Sequence, residues 1–151
     1  MSTTNHQPGY TLLELLVVAG IIALVAAIAV PMYQSHLNTA KAAKLLHHYD
    51  EAVRSSRYAL MQERLRDANA TTSTLPATTP EWLEFLSGGI GAAPDGGAPY
   101  VASAFGDGAT GAVGITFDDT NEAVTVSRPA YAGVPPLIAQ VTSESVTYTT
   151  P

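Results

Sequence analysis

One stretch constrains this chain more than any other. "LLVVAGIIALVAAIAVPMY", Leu15 through Tyr33, is nineteen residues without a charge. At about 1.5 Å of rise per residue, a helix of that length spans roughly the 30 Å hydrocarbon core of a bilayer. The run is apolar on every side, and a domain this small rarely surrounds such a helix, which argues against a buried core helix. A cleaved secretory signal fits no better. Its apolar region would be shorter, and a small-residue cleavage site would follow that region. Here "MYQSHLNTAK" continues as helix. A membrane-spanning helix near the N-terminus is therefore expected.

The remaining length allows one domain of ordinary size. Hydrophobic residues make up 46% and charged residues 13% of the 151, and the apolar excess lies near the N-terminus. There is no Cys, so no disulfide staples the fold and no thiolate can bind metal or attack a substrate. The formal charge of −6 is unevenly placed. Residues 1–66 carry six Lys/Arg against Glu14, Asp50, Glu51 and Glu63, whereas residues 67–151 carry Arg128 against nine acids. Such an acidic region repels phosphate backbones and anionic lipid, so no nucleic-acid partner is expected.

"PGYTLLELLVV", Pro8 to Val18, places a carboxylate at the start of the most apolar stretch. An ionisable residue inside a membrane is a functional-site hypothesis by default. The leader and helix together resemble the type IV pilin superfamily, which includes type IV pilins, minor pilins and the pseudopilins of type II secretion. Gly9 followed by "YTLLE" matches the family's prepilin-peptidase site, and a short polar leader precedes it and an apolar run follows it. Pro31 is the twenty-second residue after that point, where many pilins carry a helix-kinking proline, and "VPMYQSH" resembles the stretch that follows in major pilins. The likeness covers roughly residues 8–37.

The resemblance implies that residues 1–9 are a leader removed by prepilin peptidase between Gly9 and Tyr10. Tyr10 would then be the N-methylated first residue. It implies that Glu14, fifth after the cut, pairs with the N-terminal amine of an adjacent subunit, since in low dielectric that attraction is far stronger than in water. Alone in lipid, Glu14 would be driven toward its neutral form; a Glu snorkelling to the headgroups from the helix end is the plainer alternative. The implied partners are further copies in a homo-oligomeric filament, other pilins, the pilus assembly machinery and the inner membrane. The head would lie outside the cytoplasm and, after assembly, in an extracellular pilus serving twitching motility or cell adhesion. No enzyme activity, cofactor or metal is implied. A pseudopilin of type II secretion is the alternative, and a DNA-uptake minor pilin is disfavoured by the single Arg of residues 67–151. The leader departs from the family in lacking Lys and Arg. Counting flanking charges would place the C-terminal side in the cytoplasm, against the implied orientation. Many pilins also close a C-terminal loop with a disulfide, which this chain cannot form.

Pro31 has no N–H, so the carbonyl of Ala27 loses its helical partner and a kink or local melt is expected. Helix then continues to about Arg66, giving a length of roughly 85 Å from Tyr10. Ala42, Leu46, Tyr49, Val53, Ser56 and Leu60 form one stripe at helical spacing, with Asp50–Arg54 and Glu51–Arg54 pairs on the exposed side. The expected fold is α+β. Residues 10–33 form a transmembrane and assembly half of the long helix, and residues 34–66 a half packed on a small antiparallel sheet. Residues 67–151 form a globular head. In it, "DANATTSTLPATTP" reads as linker, Thr79 caps a short helix "PEWLEFL" that Gly88-Gly89 ends, and residues 88–111 read as irregular loop. Strands are expected at 112–117, 122–127, 136–142 and 145–150.

Other chemistry is faint. His47 and Glu51 share a helix face, but no third metal ligand is apparent, and His47-His48 read as a solvated face. Asp118, Asp119, Asn121 and Glu122 are a weak Ca²⁺ candidate without EF-hand spacing, and they also suit a hairpin turn. Some pseudopilins, in the family this chain resembles, bind calcium in a C-terminal loop. "PDGGAP" lacks the strand–loop–helix context of a phosphate loop. Asn69-Ala70-Thr71 is a glycosylation sequon.

Overall fold

The computed structural model describes residues 10–68 and 73–151. The elements are α1 (Leu12–Asp67), α2 (Thr79–Ser87), β1 (Tyr100–Ala102), β2 (Val113–Asp118), β3 (Ala123–Arg128), β4 (Leu137–Val141) and β5 (Val146–Thr149). Two compact units meet between Leu37 and Asn38. In the first, every described residue is exposed, as is each residue on to Ala40. α1 runs unbroken through Pro31, so the local melting expected there does not occur.

In the second unit, the C-terminal half of α1 is amphipathic and the sheet buries its stripe. Leu45, Tyr49, Ala52 and Leu60 share a core with Trp82 and Leu86 of α2 and with Val113, Ile115, Val124, Val126, Ala139 and Val141 of the sheet. The buried line also takes in His48, Ser56, Ala59 and Glu63, whereas Ala42, Leu46 and Val53 are only half-buried. The helix is thus rotated relative to the stripe read from the sequence. Small residues flank the stripe on both sides, and hydrophobicity alone does not fix which edge faces inward. On the outer side Arg54 reaches Glu51 at 4.0 Å.

The sheet has five strands in the order β1-β2-β3-β4-β5. β2 to β5 form an antiparallel meander, with Ile115 opposite Val126 and Val126 opposite Ala139. β1 is a correction to the expected all-antiparallel sheet. It lies within the stretch read as irregular loop and pairs parallel to β2, Tyr100 beside Val113. The link from β1 back to β2 folds over the face of β2 opposite the core, and Gly114 makes room for it. A Cβ on Gly114 would collide with the Ser103 carbonyl oxygen, Ser127 Oγ and the Gly106 nitrogen. Tyr100 ties β1 to the long helix by donating its hydroxyl to the His48 carbonyl at 3.1 Å.

The start of α2 also differs from expectation. Thr78, not Thr79, occupies the N-cap, without a side-chain cap bond. Thr79 Oγ1 instead accepts from Phe117 N at 3.0 Å, and Glu81 Oε2 reaches back to Ala77 N at 2.7 Å. The first bond clips the helix to β2 and the second satisfies a donor ahead of the helix.

His48 is a further correction, being 2% exposed rather than solvated. Burial pushes its imidazole below the ordinary 6.5, and Lys44 and His47 add to the shift. Three carboxylates are lowered as well. Asp95 is bonded by Lys41 and Tyr131, Asp107 by Thr110 and the Ala109 amide, and Asp118 by Asn121 and the Thr120 amide. A group with a depressed folded value contributes stability above its unfolded value and loses it as pH falls through the folded one. The thermal midpoint of the detergent-solubilised full chain should therefore hold steady above about pH 6.5, the ordinary His value. It should drop below that as His48 is forced to charge, then drop again below the ordinary carboxylate value of 3.8. His48→Gln should remove the first drop and leave the second. An unchanged first drop would place that sensitivity elsewhere.

Candidate functional site

Gly9 and the rest of the leader lie outside the described residues, as does the sequon at Asn69. Tyr10 is described and is 81% exposed. Next to it, Thr11 begins α1. Its carbonyl accepts from Leu15 N at 3.2 Å, and its Oγ1 accepts from Glu14 N, also at 3.2 Å. Thr11 is the N-cap and Glu14 the third residue of the helix, the spacing of a capping box. The sequence reading missed Thr11, although Thr-x-x-Glu directly before an apolar run is a legible start signal.

Glu14 therefore sits in the first turn, where the positive end of the helix favours a carboxylate. It makes no ion pair among the described residues. The side chains around it, Leu12, Leu13, Leu15 and Leu16, are each more than 60% exposed. Between Tyr10 and Ala40 it is the one charged side chain. A continuous apolar surface on this scale does not remain in water; lipid or other helices must cover it. Once covered, the carboxylate is costly unless it is paired with a cation, takes up a proton or reaches the headgroups. A free amine at Tyr10 would supply such a cation at the same level of the helix. Pro31 is exposed, about a third of the way along α1.

The other sequence candidates do not converge. Asp118 Oδ1 accepts from Thr120 N at 2.9 Å and Oδ2 from Asn121 Nδ2 at 2.6 Å, so Asp118 is held in the β2–β3 turn. Among the described residues, no three His, Cys, Asp or Glu side chains come together as a metal site. His47 is exposed and His48 buried, so the two face different surroundings. Arg128 is also occupied. Its Nε donates to the Pro135 carbonyl at 3.1 Å, and its guanidinium lies 5.3 Å from the Tyr49 ring centre.

The family-model comparison falls on this same N-terminal segment. Residues 4–30 match the family model for the prokaryotic N-terminal methylation motif. Over 45 residues the chain is 46% identical to the prepilin peptidase-dependent protein D of Escherichia coli (strain K12). That stretch is 30% of this chain and 31% of the relative, so less than a third of either is covered. No solved structure matches the chain.

Proposed function

We propose that this chain, which carries the type IV prepilin-like methylation motif, is a structural subunit of a type IV pilus. In this reading prepilin peptidase removes residues 1–9, the new Tyr10 amine is methylated, and α1 anchors the precursor in the inner membrane with its head outside the cytoplasm. Assembly moves the apolar half of α1 from lipid into the packed centre of a filament. The observation that carries the reading is the exposure of every residue from Tyr10 to Ala40 with Glu14 as the lone charge. Apolar packing between such helices lets them slide along one another. A buried charge pair between Glu14 and a neighbour's amine fixes one axial register, the best-attested use of buried ionic groups. The relative's name carries dependence on the same peptidase. Residues 67–151 carry one Arg, Arg128, which is already engaged, against nine acids, and so offer little to nucleic acid.

Processing tests this first. The intact mass of protein from the membrane fraction should correspond to a chain starting at Tyr10 with one added methyl group, and Gly9→Val should retain residues 1–9. A mature N-terminus near residue 35 would mean a conventional signal peptide and would overturn the reading. A pseudopilin of type II secretion would use the same cut and the same helix contact, so the destination of the assembled fibre separates the two.

A further inference from the structure

Glu63, near the end of α1, is 7% exposed, and among the described residues neither of its carboxylate oxygens has a hydrogen-bond partner. The Arg66 guanidinium is 3.8 Å away, beyond hydrogen-bond reach, and donates to Thr74 Oγ1 instead. Glu63 lines a cavity of about 380 Å³ whose other acids are Asp119, Glu122 and Glu144. The one cation in its wall, Arg64, is drawn to Glu144 at 3.2 Å. A buried carboxylate without hydrogen bonds is costly, and three further acids raise the cost, so the cavity suits a positively charged guest. The four acids do not gather as a metal-ligating group. That favours a guest with its own reach and its own N–H donors, a guanidinium or ammonium on a side chain.

The same chain carries a candidate guest. Lys41, Arg54 and Arg64 make ion pairs, and Arg66, Lys44 and Arg128 donate hydrogen bonds. Arg57 is exposed and has neither among the described residues. It borders a groove between α1 and β5, beside the exposed rings of Tyr58 and Tyr148. We propose that Arg57 of one copy enters the acidic cavity of the next copy and sets its guanidinium against Glu63. This rests on the filament reading above. Arg57 and Glu63 are six residues apart on α1, about 9 Å of rise and a third of a turn. Guest and host are thus different patches of one surface. A contact between unlike patches propagates through a fibre, whereas a contact between like patches closes into a dimer.

The absence of native cysteine allows a direct test in the full chain within assembled filaments. Arg54→Cys beside the guest is combined with Ser143→Cys in the cavity wall, and sheared filaments are treated with a short bismaleimide. The expected result is a ladder of covalent dimers, trimers and longer products, with no ladder from either single-cysteine chain. Adding Arg57→Gln or Glu63→Gln should cut the ladder about tenfold, the change that loss of one charge-assisted contact gives. Neither substitution should lower the thermal midpoint of the head, which separates a contact from a merely structural role. Filaments without a ladder, or a ladder indifferent to both substitutions, overturn the proposal. So does a thermal midpoint raised by Ca²⁺ in the unaltered chain but not in Glu63→Gln, since the cavity would then hold a free cation. If the unaltered chain makes no filament, the filament reading fails and this contact fails with it.

Discussion

Glu14→Ala should abolish most surface filament while leaving membrane insertion and leader removal intact. The substitution makes the segment more apolar, so insertion is favoured. Gly9, the expected scissile residue, is untouched. In the proposed filament the substitution would remove the partner of a neighbour's amine, and removing one half of a buried pair costs about 3–5 kcal/mol per contact. The cap of α1 survives, because Thr11 Oγ1 accepts from the Glu14 backbone N–H and not from its side chain. Two further substitutions separate the roles. Glu14→Gln keeps the shape and capping capacity of the side chain and loses its charge, so it should also assemble poorly. Thr11→Val removes the cap bond at about 1 kcal/mol, frays the first turn and should reduce filament only modestly. The readout is sheared filament measured against cleaved protein in the membrane fraction. Normal filament from Glu14→Ala at normal protein level would leave only a carboxylate reaching the headgroups from the helix end.

The second large effect belongs to the head. Gly114→Ala should destabilise it by about 3 kcal/mol, at the upper end of overpacking. The colliding atoms include backbone of the β1–β2 link, which cannot swing aside as a flexible side chain would. Relief would require that link to lift off β2 and β1 to unpair. Trp82 is the one Trp of the chain and is fully buried against the same core, so its fluorescence reports head unfolding in urea. Gly20→Ala is the control, since a Cβ there meets nothing and Gly20 lies outside the head unit. Its urea midpoint should match the unaltered chain. Equal midpoints for both substitutions would contradict the close packing of the link on β2.

Much of this architecture was legible in the residues, and what was missed has physical reasons. The apolar run and its lone carboxylate could be read directly, because no soluble packing accommodates nineteen uncharged residues in so small a chain. Val113, Ile115 and Phe117 alternate, as do Val124 and Val126, and these strands lie where the period of two put them, within a residue. β1 escaped because three residues among Gly, Ala and Pro carry no period, and parallel pairing has no hairpin turn to announce it. The inward edge of α1 escaped because Ala and Ser crowd both sides of its stripe. Glu63 was counted only as charge. Its burial comes with residues of the β2–β3 and β4–β5 turns lining the same cavity, which no local pattern encodes. Thr11 was the avoidable miss, since its spacing to Glu14 was already in view.

The proposed surface fibre is tested most directly by electron microscopy of filaments sheared from cells and labelled with antibody raised against residues 38–151. Label should run along the whole length of the filaments, present with the unaltered chain and absent with Glu14→Ala. Bare filaments, with the cleaved protein confined to the membrane fraction, would contradict it.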